Sequence, residues 1–203
     1  MIAIIDYGVG NLFSLSSSLR AIGFDAVVTG DAETIKKADK LILPGVGAFA
    51  DAIAKLRSTG LDKQILSEVA QGKKLLGICL GMQMLFDKSY EYGIHTGLGL
   101  IRGEVIPMEG TIDPALKIPH IGWNSLDFQK DTPLFKYIQD GDFVYFVHSY
   151  YAAGCQSAVI ATTQYGKPLT AAVAQENVFG CQFHPEKSGD VGLKILKAFC
   201  EME

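Results

Sequence analysis

Through its first half the chain alternates short apolar runs with segments whose apolar residues recur every three or four positions, which predicts strands separated by helices. Ile2–Asp6 reads as a buried strand, because four consecutive apolar residues leave it no polar face. Asn11 stands where it can cap a helix whose apolar positions Leu12, Leu15, Leu19 and Ile22 share one side. Ala26–Thr29 is a second strand, Asp31–Ala38 a short capped helix and Lys40–Leu43 a third strand. Ala48–Arg57 and Leu61–Ala70 read as helices parted by Gly60; Lys74–Ile78 is a fourth strand and Leu80–Phe86 the helix after it. This βαβα rhythm implies an α/β fold: an open, mainly parallel central sheet flanked by helices on both faces.

After Asp87 the rhythm changes. Leu98–Met108, Ile118–Phe128, Asp142–His148, Ala158–Thr163, Leu169–Ala174 and Val178–Phe183 read as short strands joined by turns, so antiparallel additions to the sheet are expected in the C-terminal half. Ser188–Met202 closes the chain as an amphipathic helix, with Val191, Leu193, Ile195, Leu196 and Phe199 as its apolar set. No linker, repeat or low-complexity stretch divides the chain, so residues 1–203 read as a single domain, long enough to bury a substantial core.

Charge narrows the classes of function. A net charge of −4 gives no electrostatic footprint for nucleic acid or an anionic membrane. The longest apolar stretches, such as Leu75–Met82, fall well short of the roughly 18 residues of a membrane span. Met1–Asp6 starts directly as a strand, without the basic segment of a signal peptide. Cys79, Cys155, Cys181 and Cys200 share no CxxC spacing, and a chain of this size does not need disulfides. A cytoplasmic location with reduced thiols is the expectation.

The candidate chemistry begins at Gly77-Ile78-Cys79-Leu80-Gly81, between a strand-like and a helix-like run. A cysteine with glycines two residues away on either side, where a strand turns sharply into a helix, is the thiol form of a nucleophile elbow. The glycines are needed because side chains there would collide with neighbouring elements. The following helix directs its positive end at the sulfur. Alone, the pattern reads equally as a buried structural cysteine.

His184-Pro185-Glu186 decides between the two. At the end of the last strand, alternation puts His184 and Glu186 on the same side, and Pro185 favours an extended His184. A carboxylate beside an imidazole fixes its tautomer and stabilises its protonated form, as a general base requires. In a parallel sheet the ends of the strands before Cys79 and His184 lie on one carboxyl edge, where active sites of such sheets form. Pro44-Gly45-Val46-Gly47 follows another strand on that edge and can present amide N–H groups to an oxyanion, with the Leu80 amide as second donor. The same segment formally satisfies a GxGxxA dinucleotide pattern, but such a site belongs at the first turn, where Phe13 takes the place of the third glycine. No HxH, HExxH or Cys/His cluster points to a metal. His148 ends an alternating strand and reads as structural; His95 and His120 have no partner that sequence reveals. Trp123, the only tryptophan, sits beside Gly122 and Asn124 and is an interface candidate.

A cysteine elbow, an upstream backbone loop and a C-terminal His-Pro-Glu together resemble the class I (triad) glutamine amidotransferases, over essentially the whole chain. The stretches Ile5–Leu12, PGVGAF at 44–49, GICLGMQ at 77–83, PHIGWN at 119–124, YFVHSY at 145–150 and HPEKSG at 184–189 look like one branch, the glutaminase subunits of imidazole glycerol phosphate synthases in histidine biosynthesis.

The resemblance implies a flavodoxin-like architecture and no cofactor. It makes Cys79 the nucleophile on the glutamine side-chain amide, His184 the base and Glu186 its orienting acid. Gln83 and Glu91 would contact glutamine, the acid suiting its α-ammonium group. The backbone at Ser149 and Tyr150 would hold the α-carboxylate. Val46 or Gly47 would complete the oxyanion hole with Leu80 after a peptide reorientation. The implied partner is a separate (β/α)₈-barrel cyclase that receives the ammonia, with Trp123, Asn124, Tyr145 and Lys187 near that interface. A glutaminase domain alone fills this chain and leaves nothing to bind an ammonia acceptor. A subunit of another synthase, such as one for an aminated surface sugar, would share these motifs. A stand-alone γ-glutamyl hydrolase would share the fold and triad without needing the PHIGWN surface, and a silent binding module would not need the triad.

Overall fold

Consecutive strand–helix steps build the first half of the central sheet, and the computed structural model describes the whole chain, Met1–Glu203. Strands β1 (Ile2–Ile5), β2 (Ala26–Thr29), β3 (Lys40–Gly45) and β4 (Lys74–Cys79) are joined by helices α1 (Leu12–Ala21), α2 (Ala32–Lys37), α3 (Phe49–Ser58) and α4 (Leu61–Ala70). Helix α5 (Leu80–Met84) follows β4 directly. Then come β5 (Phe86–Ser89), β6 (His95–Thr96), β7 (Ile101–Pro107), β8 (His120–Ser125), β9 (Asp127–Phe128), β10 (Phe143–His148) and β11 (Tyr150–Ala153). Strands β12 (Val159–Tyr165), β13 (Lys167–Gln175) and β14 (Val178–Cys181) precede the closing helix α6 (Gly189–Glu201).

The main sheet has eight strands in the order β2-β1-β3-β4-β14-β13-β12-β9. Its first five are parallel, in the arrangement of a flavodoxin-like sheet, and β14 returns from the far end of the sequence to pair with β4, Cys181 opposite Ile78. Strands β13, β12 and β9 add antiparallel neighbours. A β10–β8 ribbon and a four-stranded sheet, β11-β7-β5-β6, lie apart from it. No helix is long and apolar enough to cross a membrane.

Alternation within each central strand divides the core between the two faces. Ala3 and Ile5 of β1, Leu41 and Leu43 of β3 and Leu75 of β4 belong to one cluster; Ile2, Ile4, Ile42, Leu76 and Ile78 belong to the other. Each Leu or Ile buried in this way contributes about 1.5–3 kcal/mol, which holds the strand ends, and hence the site, in fixed register.

Several expectations are corrected. Asp31 does cap α2, accepting from the Thr34 amide at 2.8 Å, but Asn11 makes no side-chain cap on α1. Its φ of −87° and ψ of 62° depart from the extended conformation that aims a capping side chain. The helix expected over Leu80–Phe86 stops at Met84, and Phe86 opens β5. The amides of Leu98 and Leu100 take the carbonyls of Met84 and Leu85, each at 2.8 Å, and the chain turns into the second sheet. Strands β5, β6 and β11 had no counterpart in the sequence reading. Strand β14 ends at Cys181, two residues short of the expected Phe183, so His184 stands three residues beyond the strand rather than directly after it.

Candidate active site

Strand β4 delivers Cys79 in a strained conformation, φ 54° and ψ −111°, immediately before α5. A non-glycine residue there costs about 1–3 kcal/mol, which surrounding packing must impose. The flanking glycines show how. A Cβ on Gly81 would sit 1.8 Å from the Leu43 carbonyl oxygen, and one on Gly77 would sit 2.8 Å from the Gly81 oxygen and the Met82 backbone. Backbone approach this close bends the chain and turns the sulfur away from the sheet. Helix α5 does direct its N-terminal end at Cys79, but with only five residues its dipole is weak. Cys79 is 8% exposed, and that opening faces a cleft. Its sulfur lies 3.7 Å from the Gln182 amide nitrogen and 4.0 Å from the Val147 carbonyl oxygen.

His184 reaches the same cleft from the neighbouring strand. Its Nδ1 lies 2.8 Å from Glu186 Oε1, both side chains being almost wholly enclosed. The pair forms differently from the expected alternation. His184 is extended (φ −99°, ψ 100°), but Pro185–Lys187 make a turn of 3₁₀ helix that brings the carboxylate back beside the ring. Burial opposes a charge on His184, yet hydrogen bonding and attraction from Cys79 and Glu186 outweigh it and lift the imidazole to about 9. Nδ1–H donates to the carboxylate, which fixes the ring's tautomer and turns Nε2 away from Glu186.

The cleft encloses about 310 Å³, within the range of small-molecule sites. Cys79, His184, Val46, Gly47, Leu80, Gln83, Glu91, Ser149 and Tyr150 all line it. Every residue assigned above to catalysis, the oxyanion or glutamine is thus at this cleft, Glu186 standing behind His184. Gly47 has a φ of 91°, which favours glycine, and Val46 beside it is 41% exposed. The Tyr7 hydroxyl donates to the Pro44 carbonyl at 2.8 Å and fixes the start of this turn. Gln83 donates from Nε2 to Tyr150 O at 3.2 Å and to Gln182 Oε1 at 3.0 Å. Glu91 Oε2 accepts from the Phe49 amide at 2.5 Å, and burial pushes its carboxyl up. A larger hollow of about 440 Å³, between Gln129, Tyr151, Cys155 and Thr170, has no imidazole or carboxylate beside its thiol.

Trp123, Asn124, Tyr145 and Lys187 lie outside the cleft. Trp123 and Tyr145 are paired across the β8–β10 ribbon, with ring centroids 6.1 Å apart. Cross-strand partners share a face, and here Ile121, Trp123 and Phe143 are all more than half exposed. Asn124 lies on the opposite face and donates to Gln164 O at 2.9 Å, while Lys187 is exposed.

The family model described as Glutamine amidotransferase class-I matches residues 3–202. The chain belongs to the class-I glutamine amidotransferase family. Two proteins named "Imidazole glycerol phosphate synthase subunit HisH" illustrate the relationship. The one from Caldanaerobacter subterraneus subsp. tengcongensis is 53% identical over 203 residues, covering 100% of this chain and 98% of its own. The one from Bacillus subtilis is 47% identical over 205 residues, covering 100% and 96%. Among solved structures, one described as a glutamine amidotransferase superposes with a TM-score of 0.76 at 19% identity, covering 98% of this chain and 100% of that one. Another, of PurLQS from Thermotoga maritima, gives 0.76 at 21% identity, covering 98% and 96%. At such identities these two speak for the amidotransferase fold alone.

Three features of this amidotransferase site went unread in the sequence. Gln182 is fully buried and bridges Cys79 to Gln83; its place two residues before His184 was the available signal. Tyr7 braces the turn after β3, and only its position after the first strand hinted at this. His120 and His148 form a buried pair, Nδ1 to Nε2, 3.0 Å apart. His148 Nδ1 donates to Tyr150 O at 2.8 Å, so its Nε2 accepts from His120 Nδ1–H. Burial drives His148 down to about 4 and lowers His120 as well, so both rings stay neutral and brace the segment carrying Ser149 and Tyr150. The structural reading of His148 agrees with this.

Proposed function

We propose that this chain is the glutaminase subunit of an imidazole glycerol phosphate synthase. It hydrolyses L-glutamine to L-glutamate and ammonia and passes the ammonia to a cyclase subunit. The partner makes imidazole glycerol phosphate and aminoimidazole carboxamide ribonucleotide in histidine biosynthesis. The observation that carries this reading is the 53% end-to-end identity to a relative of that name. The gathering of sulfur, imidazole and carboxylate at one cleft agrees with it.

In this reading Cys79 Sγ attacks the carboxamide carbon while its proton resides on His184, whose raised pKa favours that arrangement. The oxyanion is met by the Leu80 amide and by an amide of the Val46–Gly47 turn. Collapse of the tetrahedral species breaks the C–N bond, and His184 gives its proton to the leaving ammonia. Water, deprotonated by the now neutral imidazole, hydrolyses the γ-glutamyl thioester and restores the thiol. Glu186 holds the ring through both steps. Gln83 and Glu91 bind the substrate, Glu91 by opposing the α-ammonium, and the backbone at Ser149 and Tyr150 receives the α-carboxylate.

Residues 1–203 act as one domain, in the cytoplasm, and need no cofactor. The exposed face carrying Ile121, Trp123 and Phe143 supports a (β/α)₈-barrel cyclase docked there to receive the ammonia; Tyr145 shares that face, Lys187 is exposed, and Asn124 belongs to the same ribbon on its opposite face. Glutamine hydrolysis is expected to rise about 10²-fold when the purified chain is combined with the co-purified cyclase and its acceptor ligand, the scale of completing an oxyanion hole. Full turnover by the isolated chain would instead favour a stand-alone γ-glutamyl hydrolase.

A further inference from the structure

We propose that Glu91 is also a positioning residue: its carboxylate satisfies the first orphan amide of helix α3, that of Phe49, and thereby holds the far end of the Val46–Gly47 turn. This deepens the glutaminase reading and rests on it. Helix α3 begins at Phe49, and its N-cap is Ala48, which has no side-chain acceptor for the orphan amides of the first turn. Glu91, 42 positions further along the chain, supplies one, accepting from the Phe49 amide at 2.5 Å. The acceptor is itself braced, since the Glu91 amide donates to the hydroxyl of fully buried Ser89 at 3.2 Å. Phe49 is fully buried too, so the bond ties the turn to a rigid point in the core.

The turn is consequently clamped at both ends. Tyr7 holds the Pro44 carbonyl in front, and Glu91 holds the Phe49 amide behind. Only four residues lie between, among them Gly47 with its φ of 91°. Glu91 Oε1 has no bond from the protein and is the atom left to meet a substrate ammonium. One carboxylate thus joins recognition of the amino-acid end of glutamine to placement of the amides that meet the oxyanion at its other end.

Replacement by glutamine and by alanine separates the two roles when kcat and KM for glutamine are measured in the assembled complex. Glu91→Gln keeps an acceptor for Phe49 and loses the charge, so KM rises about tenfold and kcat stays within about threefold. Glu91→Ala loses both, so kcat also falls, by about tenfold. Adding Ala48→Ser to Glu91→Ala supplies an N-cap oxygen from a residue already extended (φ −83°, ψ 140°), but it reaches the Ala50 or Asp51 amide and leaves that of Phe49 unmet, so kcat should stay low. Equal kcat values for the two Glu91 variants, or recovery of kcat from Ala48→Ser, would overturn the proposal. Absence of glutamine turnover in the wild-type complex would instead overturn the glutaminase reading.

Discussion

Cys79→Ala is expected to abolish glutamine-dependent synthesis, by at least about 10³-fold, while synthesis from added ammonium salt by the same complex stays within about twofold of wild type. The sulfur is the only atom the variant removes. Alanine keeps the Cβ, so the strain at φ 54° and the close contacts of Gly77 and Gly81 are unchanged, and the chain should still dock on its partner. In the proposed division of labour the acceptor chemistry belongs to the cyclase and needs only ammonia. Parallel assays with glutamine and with ammonium at high pH, where free ammonia is abundant, make the comparison. Loss of both activities together would contradict this division of labour.

Gly81→Ala should be among the most damaging single methyls in the chain. A Cβ at 1.8 Å from the Leu43 oxygen overlaps backbone, which no rotamer change can relieve. Strand β3 or the elbow must move, and Leu43 lies in the core cluster that fixes both. The expected cost exceeds about 4 kcal/mol, a fall in thermal midpoint of roughly 10–15 °C for a chain of this size, with glutamine turnover lost. Gly141→Ala is the control. Gly141 also has a positive φ, 88°, but nothing lies within 4 Å of the added carbon, so only about 1 kcal/mol of backbone strain is expected. A Gly81→Ala protein melting as high as the Gly141→Ala protein would show that the elbow does not depend on this approach.

The parallel half of the fold and the nucleophile were legible because both are written locally. Period-2 burial in β1, β3 and β4 needs only neighbouring residues, and Gly77 and Gly81 advertise a turn that other residues cannot make. His184 and Glu186 were found as a pair, although a 3₁₀ turn rather than strand alternation joins them. Proline favoured both geometries, and sequence does not choose between them. What stayed hidden depends on partners distant in the chain. The Gln182–Gln83 bond spans 99 positions, the Tyr7–Pro44 bond 37 and the His120–His148 bond 28. The two-residue β6 is too short to carry any period, and α5 stops where it does because Leu98 and Leu100 claim its last carbonyls.

Selective labelling tests the central claim, that one of four cysteines is the nucleophile of a glutamine site. All four are buried by area, so exposure alone does not single out Cys79. Burial pushes the thiols of Cys155, Cys181 and Cys200 up, Cys200 to about 12, which leaves them unreactive; only Cys79 has an imidazole beside it at the cleft. Mass spectrometry of the complex after treatment with a diazoketone analogue of glutamine is the measurement. One adduct per chain, on Cys79 and suppressed by excess glutamine, is the predicted result. An unmodified Cys79, or adducts spread over the other cysteines regardless of glutamine, would contradict the account.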